Sequence, residues 1–141
     1  MAATKILLDS GPLVGFVSGT DQHHRWAAEI WNSLYEPLWT CEAVLSEAIF
    51  LLQSDGVSID TLLELFERGL VKMDFNVPAH QPDVWQLLRK YADQPMSLAD
   101  ACLVRMAELS GHCQVFTTDK DFLVYRRKGR HVIPLLAPFD S

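Results

Sequence analysis

Four carboxylates in this chain sit where a packed domain does not place them without a reason. Asp9 directly follows the aliphatic run Thr4 to Leu8, and Asp119 comes just after Gln114-Val115-Phe116-Thr117. Both runs have the β-branched, apolar character of buried strands. Asp100 and Glu47 interrupt segments that are otherwise apolar. Between Ser97 and Leu109 only Asp100, Arg105 and Glu108 are charged, and from Cys41 to Leu52 only Glu42, Ser46 and Glu47 are polar. An ionised carboxylate beside buried apolar surface is costly unless it is paired, hydrogen-bonded or bound to a metal. A cluster of oxygen ligands suits Mg²⁺ or Mn²⁺. Such a site can activate water and stabilise charge during in-line displacement at phosphorus, with no histidine base or serine nucleophile required.

Each carboxylate also has a purely structural reading. Asp9, in Asp9-Ser10-Gly11-Pro12, fits an Asx-turn or a cap contact leading into the short apolar segment Leu13 to Val17. Ser97-x-x-Asp100 fits a capping box, with Asp100 in the first helical turn near the positive helix end. Glu47 shares a helix face with Ala43, Val44 and Leu51, a face expected to be internal; its structural reading is a solvated or salt-bridged side chain. Glu42, one turn earlier, is explained by compensation of the helix dipole. Taken together and without enough basic residues in their local sequence, the four are better accounted for by convergence on one site than by independent caps.

The elements that must position them alternate in type. Strands are expected at Thr4 to Leu8, Leu38 to Thr40, Leu70 to Phe75, Gln114 to Thr117 and, at an edge because of Pro134, Val132 to Leu136. Helices are expected from His23 to Leu34, capped by Thr20 or Asp21 and broken at Glu36-Pro37; from Cys41 to Leu52; after Ser58 or Asp60 and closed by Gly69; from Val77 to Tyr91; and after Ser97. This alternation predicts a three-layer α/β domain with a mostly parallel sheet. Asp9 and Asp119 then lie at the carboxyl edge of that sheet, where α/β folds place ligands. His23 and His24 are adjacent, so they point in different directions on a helix and fit surface positions better than shared metal ligation. Tyr125 to His131 holds the dense basic cluster of the chain, readable as a solvated loop or as a phosphate-contacting edge.

Composition narrows the function classes. With 141 residues and 49% hydrophobic content, the whole chain, 1–141, is expected to form one domain with an ordinary core. Its three cysteines match no zinc pattern and read as reduced core thiols. No signal-like or membrane-length apolar run is present, so a cytoplasmic protein without membrane contact is expected. A net charge of -6 argues against non-specific coating of DNA but not against a nuclease whose cations offset its carboxylates. No Gly-rich phosphate loop is present.

The segments Leu7-Leu8-Asp9-Ser10, Leu45-Ser46-Glu47, Ser97-Leu98-Ala99-Asp100-Ala101 and Thr117-Thr118-Asp119-Lys120-Asp121-Phe122 occur in that order at domain-length spacing. In this the chain resembles the PIN-domain ribonucleases, and more narrowly it is similar to the VapC-type toxins of toxin–antitoxin pairs. The resemblance implies a PIN-like α/β/α sandwich and cleavage of RNA dependent on Mg²⁺ or Mn²⁺. It implies a metal site of Asp9, Glu47, Asp100 and Asp119, with Asp121 as an outer ligand and Thr117 as a positioning hydroxyl. It further implies a homodimer neutralised by a cognate antitoxin. Ser97 departs from the pattern, since near relatives often carry an acidic residue there, and this bears on occupancy of a second metal. The alternative is a non-catalytic PIN-like module binding RNA or protein, its carboxylates serving caps and ion pairs. A phosphatase with an aspartyl nucleophile is a weaker alternative, because the second Asp it needs two residues beyond Asp9 is Gly11 here.

Overall fold

A computed structural model describes residues 3–35 and 37–139, so Glu36 of the expected helix break lies outside the described residues. The aliphatic run after Thr4 forms β1 (Lys5–Leu8), and the helices that follow are α1 (Ser10–Val17) and α2 (His24–Asn32). Next come β2 (Leu38–Thr40), α3 (Glu42–Ser54), α4 (Asp60–Glu67) and β3 (Val71–Met73). A 3₁₀ turn at Val77–His80 opens α5 (Gln81–Lys90), and α6 (Leu98–Leu109) leads into β4 (Cys113–Phe116). A second 3₁₀ turn at Lys120–Leu123 precedes the short strands β5 (Arg126–Arg127), β6 (His131–Val132) and β7 (Leu135–Leu136).

Five strands form a parallel sheet in the order β3-β2-β1-β4-β7, while β5 and β6 pair antiparallel as a separate hairpin. The chain moves one way across the sheet from β1 to β3 and then returns to place β4 on the other side of β1. Right-handed crossovers therefore put α1 to α4 on one face and α5 and α6 on the other, giving the expected α/β/α sandwich. The reversal between β1 and β4 is a topological switch point, and the crevice beyond their carboxyl ends is where such sheets bind ligands.

Burial explains why the central strands read as continuous apolar runs. Leu7, Leu8, Val115 and Phe116 are inaccessible to solvent, as a strand covered on both faces requires. The edge at the crevice is held beyond the ladder itself: Asp9 N donates to Phe116 O at 3.0 Å, Thr117 N to Leu136 O at 3.0 Å, and the buried Thr40 hydroxyl to Leu8 O at 2.7 Å. α6 packs most of its surface, with Ala99 to Val104, Met106 and Ala107 all buried. The almost uncharged helix of the sequence is thus a core helix.

Three expectations are corrected. Ser10-Gly11-Pro12 is not a turn before an apolar segment but the first turn of α1, with Asp9 as its N-cap accepting from Ser10 N. Pro is compatible with a first turn because it lacks only an N–H that has no helical partner there. The expected final strand is two strands: β6 pairs with β5, β7 pairs with β4, and Pro134 lies between them where its carbonyl accepts from Val115 N. The segment after Asn76 begins as a 3₁₀ turn rather than as regular helix, with Asn76 Oδ1 accepting from Ala79 N.

Gly11 sits against the loop that carries Asp119. A Cβ at this position falls 2.0 Å from Thr118 Oγ1 and 3.2 Å from Thr118 Cβ. Gly11→Ala is therefore expected to destabilise the fold by about 1–3 kcal/mol through overpacking, against the roughly 1 kcal/mol that helix propensity alone returns. Adding Thr118→Ala is expected to restore most of the loss; urea melts of both variants test this, and a Gly11→Ala protein as stable as the parent contradicts the close approach.

Candidate active site

Asp9, Asp100 and Asp119 come together at the switch point from three different elements. One carboxylate oxygen of each lies within 4.8 Å of the others. Asp9 and Asp100 are buried, at 4% and 7% exposure, and Asp119 is half-buried. Each is placed by cap geometry. Asp9 caps α1 and ends β1; Asp100 is the third residue of α6 in a complete capping box with Ser97; Asp119 caps the 3₁₀ turn that follows β4. Each helix start turns a carboxylate toward the crevice and offers backbone N–H donors and the positive end of a dipole to it.

The hydrogen bonds leave oxygens to spare. Asp9 Oδ1 accepts from Ser10 N at 2.7 Å and Oδ2 from the Thr117 hydroxyl at 2.7 Å. Thr117 Oγ1 in turn accepts from Asp119 N at 2.9 Å, so one buried hydroxyl ties two of the three acids together. Asp119 Oδ1 accepts from Asp121 N at 2.9 Å. Asp100 Oδ2 accepts from Ser97 N at 3.3 Å and from the Tyr125 hydroxyl at 3.0 Å. Among the described residues, Asp100 Oδ1 and Asp119 Oδ2 have no backbone donor, and no Lys or Arg forms an ion pair with any of the three.

Glu47 stands apart from this trio. Its side chain accepts a short hydrogen bond from the Ser10 hydroxyl and lies close enough to Asp9 and Asp119 to raise their pKa values. It is half-buried, and its face of α3 is not the internal one expected: Val44 is buried, but Ala43 is only half-buried and Leu51 is exposed. A groove of about 890 Å³ runs past it, lined by Ser46, Phe50, Phe75, Asn76 and Ser97 among others. Glu47 therefore forms the wall between groove and acidic trio. Asp121 lies outside the trio; it contributes its backbone N–H to Asp119, and its carboxyl group stands close enough to raise the Asp119 pKa.

The basic segment is mostly used internally. Arg126 NH1 donates to the carbonyls of Leu123, Val124 and Tyr125, and Arg127 NH1 to those of Ala107 and Ser110 at the carboxyl end of α6. A guanidinium there adds a donor to the carbonyls at the negative end of the helix. This leaves Lys128 and Arg130 as the exposed cations of the segment whose sequence reads as a solvated loop or a phosphate-contacting edge. His24 is tied to the backbone, its Nδ1 bonding Gly15 O at 2.7 Å, and among the described residues it is not grouped with the acidic trio. Ser10 and Tyr125 were not legible as partners of Glu47 and Asp100, since nothing in their spacing joins residues 37 and 25 positions apart.

Burial without a cation shifts the protons. Desolvation raises Asp9 to about 7, against the opposing hydrogen bonds from Thr117 and Ser10, with Asp100 and Glu47 adding repulsion. Desolvation likewise raises Asp100 to about 6, opposed by the Tyr125 hydrogen bond and reinforced by Asp119. Asp119 is raised by burial and then by Asp121 and Glu47, and the Tyr125 hydroxyl is pushed up by burial and by Asp100. The donor set passes a test of fit for a hard cation. It is all oxygen, it carries surplus negative charge, and its 4.8 Å spacing is only slightly wider than opposite ligands around Mg²⁺, roughly 4 Å for bonds of about 2.1 Å.

Because folding raises these pKa values above the ordinary 3.8, the folded metal-free protein holds protons that the unfolded chain has released. The contribution of these two groups to stability is full below about pH 4 and is lost as pH rises through about 6 and about 7, on the order of 4 kcal/mol for Asp9. Calorimetric melting temperatures of metal-free protein are expected to decline over that window, and Asp9→Asn is expected to flatten the decline. A pH-independent melting temperature contradicts the buried, unpaired state of the trio.

Residues 6–128 match the PIN domain family. Among solved structures, the fold is similar to that of Mycobacterium tuberculosis VapC20, a Sarcin-Ricin loop cleaving toxin, with a TM-score of 0.72 and 19% sequence identity. The match covers 83% of this chain and 92% of that one. No curated protein matches the sequence. With the family pattern spanning nearly every element from β1 to the β5 hairpin strand, the chain belongs to the PIN domain family.

Proposed function

We propose that this protein is a metal-dependent endoribonuclease acting as the toxin of a toxin–antitoxin pair. The observation that carries the proposal is the convergence of Asp9, Asp100 and Asp119 on one point with surplus charge and, among the described residues, no cationic side chain to neutralise it. Membership of the PIN domain family supports nuclease chemistry, and the structural likeness to a toxin that cleaves the Sarcin-Ricin loop supports RNA as the substrate class.

Asp9, Asp100 and Asp119 would hold Mg²⁺ or Mn²⁺, with Glu47 completing the site beside the groove. A bound divalent ion there supplies a lowered water pKa and charge stabilisation on the phosphate oxygens. The protein's own groups do the rest. Glu47 Oε1 is fixed by the Ser10 hydroxyl, so the carboxylate is held at the groove wall with its other oxygen available to take a proton from water. Thr117 keeps Asp9 and Asp119 in register, and the groove along α3 admits an extended strand past Glu47. Lys128 and Arg130 contribute to backbone contact. The proposal includes a homodimer, a cognate antitoxin as inhibitor and action in the cytoplasm, where the free buried Cys41, Cys102 and Cys113 stay reduced. No described helix is long and apolar enough to cross a membrane.

One observation favours the non-catalytic binding module: all three aspartates are also satisfied caps. Incubating antitoxin-free protein with total cellular RNA, in Mg²⁺, Mn²⁺ or chelator, separates the two. The expected result is discrete cuts that require the metal and fall at least about a hundredfold in a folded Asp9→Asn variant. Equal cutting by that variant, or none by folded wild-type protein supplied with metal, supports the module instead.

A further inference from the structure

Tyr125 is fully buried, yet its hydroxyl is aimed at one of the acids of the site. The sequence places it six residues beyond Asp119, and the 3₁₀ turn Lys120–Leu123 brings the chain back so that both residues face the crevice from the same loop. The backbone closes that return: Val124 N and Tyr125 N both donate to Asp121 O, at 2.9 and 3.2 Å. The ring is clamped edge-on by Tyr91 and Phe122, at centroid distances of 5.1 and 5.2 Å, and the Tyr91 hydroxyl accepts from Arg126 N at 2.9 Å. A ring locked on two sides leaves its hydroxyl little choice of direction.

The consequence falls on the two oxygens of Asp100. Oδ2 accepts both the Tyr125 hydroxyl and the Ser97 backbone N–H, whereas among the described residues Oδ1 has neither a backbone nor a tyrosine donor. A carboxylate free to rotate presents either oxygen in several directions; one pinned through Oδ2 by two donors presents Oδ1 alone. The capping box supplies the 3.3 Å contact from Ser97 N and places the Ser97 hydroxyl beside the carboxylate, and the shorter 3.0 Å contact from Tyr125 makes the largest single contribution to orientation.

We propose that Tyr125 is a positioning residue: it fixes Asp100 through Oδ2 so that Oδ1 is presented to a divalent cation shared with Asp9 and Asp119. The inference rests on the metal-dependent reading of the site. Partners of this kind orient ligands and typically change metal affinity 10- to 100-fold when removed.

Mn²⁺ binding to purified full-length protein, followed by electron paramagnetic resonance and calorimetry, tests it without any RNA. Tyr125→Phe keeps the clamped ring and removes only the hydroxyl; the expected result is at least about a tenfold loss of Mn²⁺ affinity with a cooperative melt retained. Tyr91→Phe removes a neighbouring buried hydroxyl that does not touch Asp100 and is expected to leave Mn²⁺ affinity unchanged. In an Asp100→Asn background, Tyr125→Phe is expected to have no further effect. Equal losses in Tyr125→Phe and Tyr91→Phe, an undiminished effect of Tyr125→Phe in the Asp100→Asn background, or unchanged affinity in Tyr125→Phe overturns the proposal while leaving the nuclease reading intact. Wild-type protein that binds no Mn²⁺ overturns the metal-dependent reading, and this inference with it.

Discussion

Three carboxylates gathered within 4.8 Å, without a cation of the protein's own among the described side chains, are the constraint around which this molecule is built. Like charges at that separation repel, and burial adds the loss of solvent. The fold offsets this with groups that are not charged. Backbone N–H donors of Ser10, Ser97 and Asp121 and hydroxyls of Thr117 and Tyr125 each take one lone pair, and three helix or 3₁₀ starts direct their positive ends at the cluster. What remains is expressed as protons held well above the usual carboxylate range. The arrangement leaves charge that a cation from outside would offset, as the proposed metal site requires.

Capping and convergence turn out to be one device rather than rivals. A carboxylate at an N-cap or in a first turn is oriented by the backbone it caps, and the N–H bond occupies one oxygen while leaving the other for a ligand. Asp100 and Asp119 use this directly, and Asp9 adds to it the Thr117 hydroxyl on its second oxygen, which is why a site assembled from three distant segments needs so few dedicated residues. The sheet order completes it. At the reversal between β1 and β4, α1 leaves β1 over one face and α6 leads into β4 over the other, opening a crevice into which the start of α6 reaches. Glu47 differs in kind: it lies inside α3, is tethered by Ser10, and faces the groove.

Much of this was legible from the chain because charge within an apolar run is conspicuous. The carboxylates, the strand and helix alternation, the core character of α6 and the capping box at Ser97 all follow from local pattern. The start of α1 does not, although Asp9 followed by Pro12 in the first turn is a helix-opening signal, because Gly11-Pro12 reads locally as a turn. The internal face expected for Glu47 fails because helical periodicity identifies a stripe but not which part of it a groove leaves open. Arg126 and Arg127 read as a basic edge, yet both are drawn to carbonyls, a choice set by where the end of α6 falls in three dimensions. The pairing of Tyr125 with Asp100 depends on the return of the 3₁₀ turn, and no spacing rule carries it.

The most direct test of the account is the position of a bound cation. Crystals grown with Mn²⁺ and measured for its anomalous scattering are expected to show a peak bridging Asp9, Asp100 and Asp119, with Asp100 Oδ1 among its ligands. Absence of any such peak at saturating Mn²⁺, or a peak held only by exposed carboxylates elsewhere, contradicts the claim that these three acids were assembled to hold a metal.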